Sequence, residues 1–435
     1  MTAPRLAGLT AVGLLLLLAL AAALFPWVMP SQDGTARHVA ALSIFIGSYL
    51  ALAIGKVPGL AIDRAGVALV GACLMVASGA VPLEDAYRAV DIGTITLLLG
   101  MMIIVANLRI SGFFALVNAW VARHMRHPLL LLSAIVLVSG VFSAFLVNDA
   151  ICLVLAPLVV ELTAGLKRNP VPYLLAVAMA SNVGSAATIT GNPQNMMIGS
   201  FSGISYTQFV SALAPVAVIG LLLTIGLLAL LHRGDLRGGE LQPNAPRVRI
   251  NRTLVVRSLI ATGAVVILFF AGQPPAKAAI IVGALLLLTR RVKSMRVYAE
   301  IDWSLLLMFA GLFIIVAGAE RELPSPQLVA AHLTSIPVLS AVTAILSNLV
   351  SNVPAVLLLR PFVTVLRDHD RAWLVVAMAS TLAGNFTVLG SIANLIVVEK
   401  AARRGIVIGF WDYFRVGAPL TLLTLIIGTL WLMWR

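Results

Sequence analysis

Val177-Ala-Met-Ala-Ser-Asn-Val-Gly-Ser-Ala-Ala-Thr-Ile-Thr-Gly-Asn-Pro-Gln-Asn195 and Val376-Ala-Met-Ala-Ser-Thr-Leu-Ala-Gly-Asn-Phe-Thr-Val-Leu-Gly-Ser-Ile-Ala-Asn394 are two copies of one segment. Each opens on the same five residues and then sets Thr188 or Thr387, Gly191 or Gly390, and Asn195 or Asn394 at one spacing. Each is preceded by a second repeated piece, Phe142-Ser143 to Asn148 to Pro157 and Leu346-Ser347 to Asn352 to Pro361. Small, amide and hydroxyl residues in the middle of apolar segments, placed there twice, are what a secondary transporter needs when its site lies between two internal repeats.

The surrounding composition fits. The chain has 435 residues, 60% of them hydrophobic and 11% charged, and a mean hydropathy of +1.04, far outside the range of soluble domains. Apolar runs of about 20 residues match the thickness a helix must cross, and no barrel-like alternation is present. The expected fold is therefore an all-α polytopic membrane protein, with about eleven transmembrane helices plus two re-entrant hairpins in an inverted-topology repeat. Residues 6–26 resemble a secretory signal, with Arg5 before the apolar run and Ala21-Ala22-Ala23 after it. The length of the run and the spans that follow favour a retained first helix. Cys73 and Cys152 both lie in apolar stretches and point to no disulfide framework.

A net charge of +13 would suggest nucleic acid in a soluble protein, but here it is distributed by side. Arg5, Lys56, Arg64, Arg123, Arg126, Lys167, Arg168, the Arg233 to Arg252 loop, Arg290, Arg291, Lys293, Arg296, Lys400, Arg403 and Arg404 fall on one set of loops. The alternate set is poor in Lys and Arg. By the positive-inside rule the first set is cytoplasmic, which predicts a cytoplasmic N-terminus and an external C-terminus in the cell inner (plasma) membrane. Nucleic acid is not an expected partner; the lipid bilayer is.

This alternation requires 129–165 and 328–366 each to begin and end on one side. Parity does not separate two short crossing helices from a hairpin. At the midpoints stand Val147-Asn148-Asp149 and Ser351-Asn352-Val353 with almost no loop around them. A non-helical tip at membrane depth is tolerated where protein or a water-filled cavity covers it, so hairpins are expected. The organisation reads as an N-terminal helix (1–30), a first repeat (31–231, with hairpin 129–165 and broken helix 171–201), a cytoplasmic linker (232–253) and an inverted second repeat (254–435, with hairpin 328–366 and broken helix 372–399). Asp91 and Gly100 pair with Asp302 and Gly311 in this scheme.

The segment 171–201 is too polar and too rich in Gly and Pro to run unbroken, and the break is expected near Thr190 to Pro193. Half-helix ends then become ligand groups: N-termini for anions, unwound carbonyls for cations. Candidate substrate or ion ligands are Ser181, Asn182, Thr188, Thr190, Gly191, Asn192 and Asn195 in the first half, and Thr387, Gly390, Ser391 and Asn394 in the second. The hairpin midpoints add Asn148, Asp149, Ser351 and Asn352. Asp149 is the sharpest of these, because a carboxylate at membrane depth is costly and by default functional. Its expected partners are Asn148 and the backbone of the broken segment, and its role is to bind a coupling cation or carry a proton. Arg360 either holds an anionic substrate or snorkels to the interface. No His pair at metal-ligand spacing, no Gly-Lys-Ser/Thr phosphate loop and no nucleophile–base pair is visible, so neither an enzyme nor an ATP-driven pump is expected.

At Asn148-Asp149 with Ala156-Pro157, at Ser181-Asn182 through Gly191-Asn192-Pro193-Gln194-Asn195, and at Gly384-Asn385 through Gly390-Ser391 to Asn394, the chain resembles the arsenite-efflux permeases and silicon-efflux carriers of the ion transporter superfamily. That superfamily also holds sodium-coupled dicarboxylate, citrate and sulfate carriers. The resemblance implies a homodimer in which a scaffold holds a moving domain of two hairpins and two broken helices. It also implies cation sites at Asn148 with Gly191 and at Asn352 with Gly390, with sodium near Asn148, Asp149 and Gly191, and substrate between the tips. The dicarboxylate carriers have Ser-Asn-Thr at both tips, whereas this chain has Val147-Asn148-Asp149 and Ser351-Asn352-Val353. That departure tilts coupling from sodium toward protons. The expected function is coupled movement of a small inorganic or organic anion or weak acid with no cofactor beyond a proton or sodium. A sodium-coupled dicarboxylate or sulfate carrier and a sodium/proton antiporter are the alternatives.

Overall fold

A computed structural model of the chain describes residues 35–54, 62–236, 250–288, 292–320, 322 and 325–435, and among them all regular structure is helical. The expected N-terminal helix (1–30) and most of the linker lie outside the described residues. Eight described helices are long and apolar enough to cross a bilayer, or nine if Pro326–His332 and Ile336–Val350, bent by 109°, count as one span.

The outer helices of the first half are α1 (Thr35–Ile54), α2 (Arg64–Ala77), α3 (Ile92–Ser111) and α4 (Phe113–His124). The apolar run 93–120 is thus two helices rather than one span. Gly112 turns the chain between them at φ +83°, and its N–H closes α3 onto the Leu108 and Arg109 carbonyls, a left-handed cap that glycine adopts without a Cβ penalty. The first hairpin follows as α5 (Pro128–Phe145) and α6 (Asn148–Gly165), then α7 (Val171–Ser185), α8 (Pro193–Ser202) and α9 (Tyr206–Leu231). The second half gives α10 (Arg252–Phe270), α11 (Pro275–Leu287) and α12 (Trp303–Glu320), then the hairpin arms α13 (Ile336–Val350) and α14 (Asn352–Val363), and finally α15 (His369–Ala383), α16 (Ile392–Ala402) and α17 (Phe410–Trp434).

The two halves pack alike. α3 lies along α11 as α12 lies along α2; α5 lies along α7 as α13 lies along α15; α9 and α17 pack on each other. Gly100 and Gly311, matched in sequence, explain the first of these pairings. A Cβ on Gly100 would come within 2.5 Å of the Ala279 backbone on α11, and one on Gly311 within 2.5 Å of the Ala68 carbonyl on α2. Small residues that let backbones touch are how helices associate where lipid removes the hydrophobic drive. Asp91 and Asp302, the other matched pair, cap α3 and α12 by accepting from the N–H groups of Thr94 (2.7 Å) and Leu305 (3.0 Å). The polar segments are enclosed by α5–α9 and α13–α17, while α1–α3 and α10–α12 flank them.

Candidate functional site

The sequence places the first break near Thr190 to Pro193; in the structure it begins earlier. α7 ends at Ser185, tight turns run from Ala186 to Gly191, and Asn192 starts α8 by accepting from the Asn195 N–H at 2.9 Å. The reason lies with Asn195. Its side-chain amide donates to the carbonyls of Ser185 (3.1 Å) and Thr188 (3.0 Å), so helix-end carbonyls left unpaired by the turn are satisfied from beyond it. Asn394 does the same in the second half, donating to Gly384 (2.7 Å) and Thr387 (3.2 Å). There α15 ends at Ala383, a short 3-10 turn spans Val388–Gly390, and Ser391 caps α16. Both asparagines therefore brace unwound backbone rather than face the cavity. Gly191 folds back so closely that a Cβ would stand 2.2 Å from the Ser185 carbonyl.

Each hairpin tip meets its own break. The Asn148 N–H donates to the Gly191 carbonyl at 3.0 Å, and the Asn148 side-chain amide donates to Asn182 Oδ1 at 3.1 Å. At the second tip, the amide orientation that satisfies Asn352 has its nitrogen donating to the Gly390 and Ser380 carbonyls and its oxygen accepting from Gln194 Nε2, each at 3.2 Å. Ser351, just before it, holds φ +79°, a conformation that costs a non-glycine residue about 1–3 kcal/mol and is kept where the surroundings enforce it.

The halves then cross-bond. Asn182 Nδ2 donates to Asn385 Oδ1 (2.9 Å) and Asn394 Oδ1 (3.0 Å), and Asn182 Oδ1 accepts from Ser391 Oγ (3.1 Å). Thr381 Oγ1, at the matching position of the second half, accepts from Asn192 (3.1 Å) and Gln194 (3.2 Å). Asn182 is 1% exposed and Thr381 likewise 1%.

Between the tips lies a cavity of about 20 Å³ lined by Asn148, Asp149, Pro193, Gln194, Ser351, Asn352 and Ser391, with Leu305, Val353 and Ile392 completing the wall. That volume holds a water or two, so a larger solute requires the tips to part. The first turns of α6, α8, α14 and α16 all border it. Four helix N-termini aim positive partial charge into one small space, while no Lys, Arg or His lines it.

Asp149 is the one carboxylate on this cavity, but its expected partners are not found. Among the described residues it makes no hydrogen bond with Asn148 or the broken segment, and its other side borders a second cavity of about 80 Å³ shared with Arg109, Glu300 and Asp302. Arg109 is held there by Glu300. Arg360 does not reach the site either: its guanidinium stacks over the Phe201 ring at 4.3 Å. Three further candidates turn away. Thr188 donates to the Ala144 carbonyl, Thr190 pairs with the Tyr206 hydroxyl (2.9 Å), and Ser181 Oγ sits 2.9 Å from Cys152 Sγ. Thr387 contributes its carbonyl, to Asn394. Conversely Gln194, Thr381 and Asn385 belong to the network although only their presence in the repeated polar stretches marks them.

Two oxygens near the first tip are left over. Asn148 Oδ1 and Ser143 Oγ are buried and without a hydrogen-bond partner, and neutral oxygens suit a hard cation. Asp149 points to the other wall and is not part of that set.

Residues 49–382 match the profile of the family described as Citrate transporter. An uncharacterized transporter of Mycobacterium tuberculosis is 30% identical over 433 residues, covering 91% of this chain and 98% of its own. The silicon efflux transporter LSI3 of Oryza sativa subsp. japonica is 28% identical over 464 residues, covering 89% and 96%. Among solved structures, the YdaH transporter of Alcanivorax borkumensis, described as having an unusual topology, superposes with a TM-score of 0.56 at 16% identity, covering 92% of this chain and 98% of that one. The resemblance to efflux permeases of the ion transporter superfamily is thus borne out at family level, as is an all-helical membrane fold.

Proposed function

Because the chain belongs to the citrate transporter family, we propose that it is a secondary active transporter of a small oxyanion or weak acid across the plasma membrane, coupled to protons or sodium. The observation that carries this reading is the cavity between the tips, where four helix N-termini converge without a basic side chain and with Asp149 alongside. Dipole ends favour one negative charge, or a neutral acid that develops one, since each contributes only about 0.3–1 kcal/mol. A citrate trianion would meet Asp149 with no cationic side chain to offset it. The silicon efflux function of the Oryza relative agrees with a weak-acid substrate.

In this reading 129–165 and 328–366 are re-entrant hairpins of an inverted repeat, a reading supported by the bonds from each tip to the break of its neighbouring apolar segment. The helices α5–α9 and α13–α17 move as a unit against α1–α3 and α10–α12, in a homodimer with a cytoplasmic N-terminus and an external C-terminus. Asp149 carries the coupling charge, and a sodium ion, where used, is held by Asn148 beside Gly191.

Thermal unfolding of the purified protein with arsenite, silicate, sulfate, phosphate or citrate, each with and without sodium, tests the substrate class. Arsenite or silicate is expected to raise the midpoint by several degrees, since a ligand at about 100 times its Kd adds about 2.7 kcal/mol. A rise only with citrate or sulfate, and only with sodium present, would replace the weak-acid reading with that of a sodium-coupled carboxylate or sulfate carrier.

A further inference from the structure

The two capping aspartates, matched in sequence and in role, have different neighbours. The Ser200 hydroxyl at the end of α8 donates its one proton to the Asp91 carboxylate, lying 3.0 and 2.9 Å from the two oxygens. Among the described residues, the Asp302 side chain accepts no hydrogen bond beyond its own cap and instead borders the 80 Å³ cavity. The difference is built into the sequence. Gly93 leaves room at the first site, where a Cβ would lie 3.1 Å from both Ser200 Oγ and Asp91 Oδ1; Ser304 occupies the matching place in the second half. Ser200 itself matches Glu399, which Arg403 holds at 2.6 Å.

The next residue extends the same junction. The Phe201 ring packs edge-on against Phe313 of α12, with centroids 6.2 Å apart, and receives the Arg360 guanidinium of α14 on its face. A cation over an aromatic face is attracted by the ring quadrupole. The end of α8 therefore touches α3, α12 and the second hairpin at once.

We propose that Ser200 and Phe201 form a latch that holds the site-bearing helices against α3 and α12 on the Asp91 side, while the cavity at Asp302 is the opening toward the opposite face. Arg360, on α14 of the same moving unit, fixes the Phe201 ring against Phe313 from behind and so positions the latch rather than binding substrate. The inference rests on the reading of the protein as a transporter with two conformations, but its test needs no substrate.

Met197 is 0% exposed and lies one turn before Ser200 on the same side of α8. With Met197→Cys, the rate of labelling by a charged, water-soluble maleimide follows the fraction of molecules in which the latch is open; label on native cysteines is subtracted using protein that retains Met197. Ser200→Ala and Arg360→Gln are each expected to raise that rate about fivefold, the population change that accompanies loss of about 1 kcal/mol. Ser200→Thr, which keeps the hydroxyl, is expected to stay near the parent. An unchanged or lower rate in the folded variants overturns the latch, and so does a parallel rise at Cys152, which is buried in α6 and reports general loosening. Absence of anion flux in proteoliposomes would defeat the proposed function and leave this result intact.

Discussion

Asp149→Asn is expected to abolish gradient-driven accumulation, by tenfold or more, while exchange of substrate across the membrane continues. Asp149 is the carboxylate shared by the tip cavity and the cavity at Asp302, so it stands between the site and its opening. Asparagine keeps the size and the hydrogen-bonding capacity and removes only the titratable charge. An ionised carboxylate beside the tip cavity repels an anionic substrate; uptake of a proton removes that repulsion and links the two fluxes. Both activities are measured in one proteoliposome preparation. Unchanged accumulation would remove Asp149 from coupling, and loss of exchange as well would make it a binding or structural residue.

Asn182→Leu is expected to have the larger structural effect, eliminating transport and lowering stability together. One buried amide serves Asn148, Asn385, Asn394 and Ser391. At the average of about 0.6 kcal/mol measured for hydrogen bonds between membrane helices, the loss is about 2 kcal/mol. It becomes greater if the four partners stay buried without replacements, at about 1–3 kcal/mol each. Because those partners come from the first tip and from the second broken helix, the geometry between the halves is lost with them. Thermal unfolding and uptake of the same preparation check both parts; normal uptake would show that this network only glues helices together.

Much of this arrangement was legible in the repeat. The matched spacing of Gly191 and Asn195 to Gly390 and Asn394, and of Asn148 to Asn352, together with the family resemblance, sets each tip against its own break, and both contacts are present. Three features were not legible, for physical reasons. Asn148 and Asp149 are adjacent in sequence but about 100° apart around a helix, so one faces Asn182 while the other faces the cavity wall. Glycine and proline mark where a helix is weak, yet α7 ends at Ser185 because Asn195, ten residues on, takes its carbonyl. Hydroxyls at membrane depth seek the nearest acceptor, and for Thr188 and Thr190 that acceptor came from α5 and α9, which spacing within one segment does not reveal.

Flux in proteoliposomes that contain only this protein separates coupled anion transport from cation exchange. With arsenite or silicate on one side and an imposed proton or sodium gradient, saturable accumulation that collapses when the gradient is dissipated is expected. Sodium/proton exchange that proceeds equally with no arsenite, silicate or other anion present would contradict coupled anion transport and make the protein a cation antiporter.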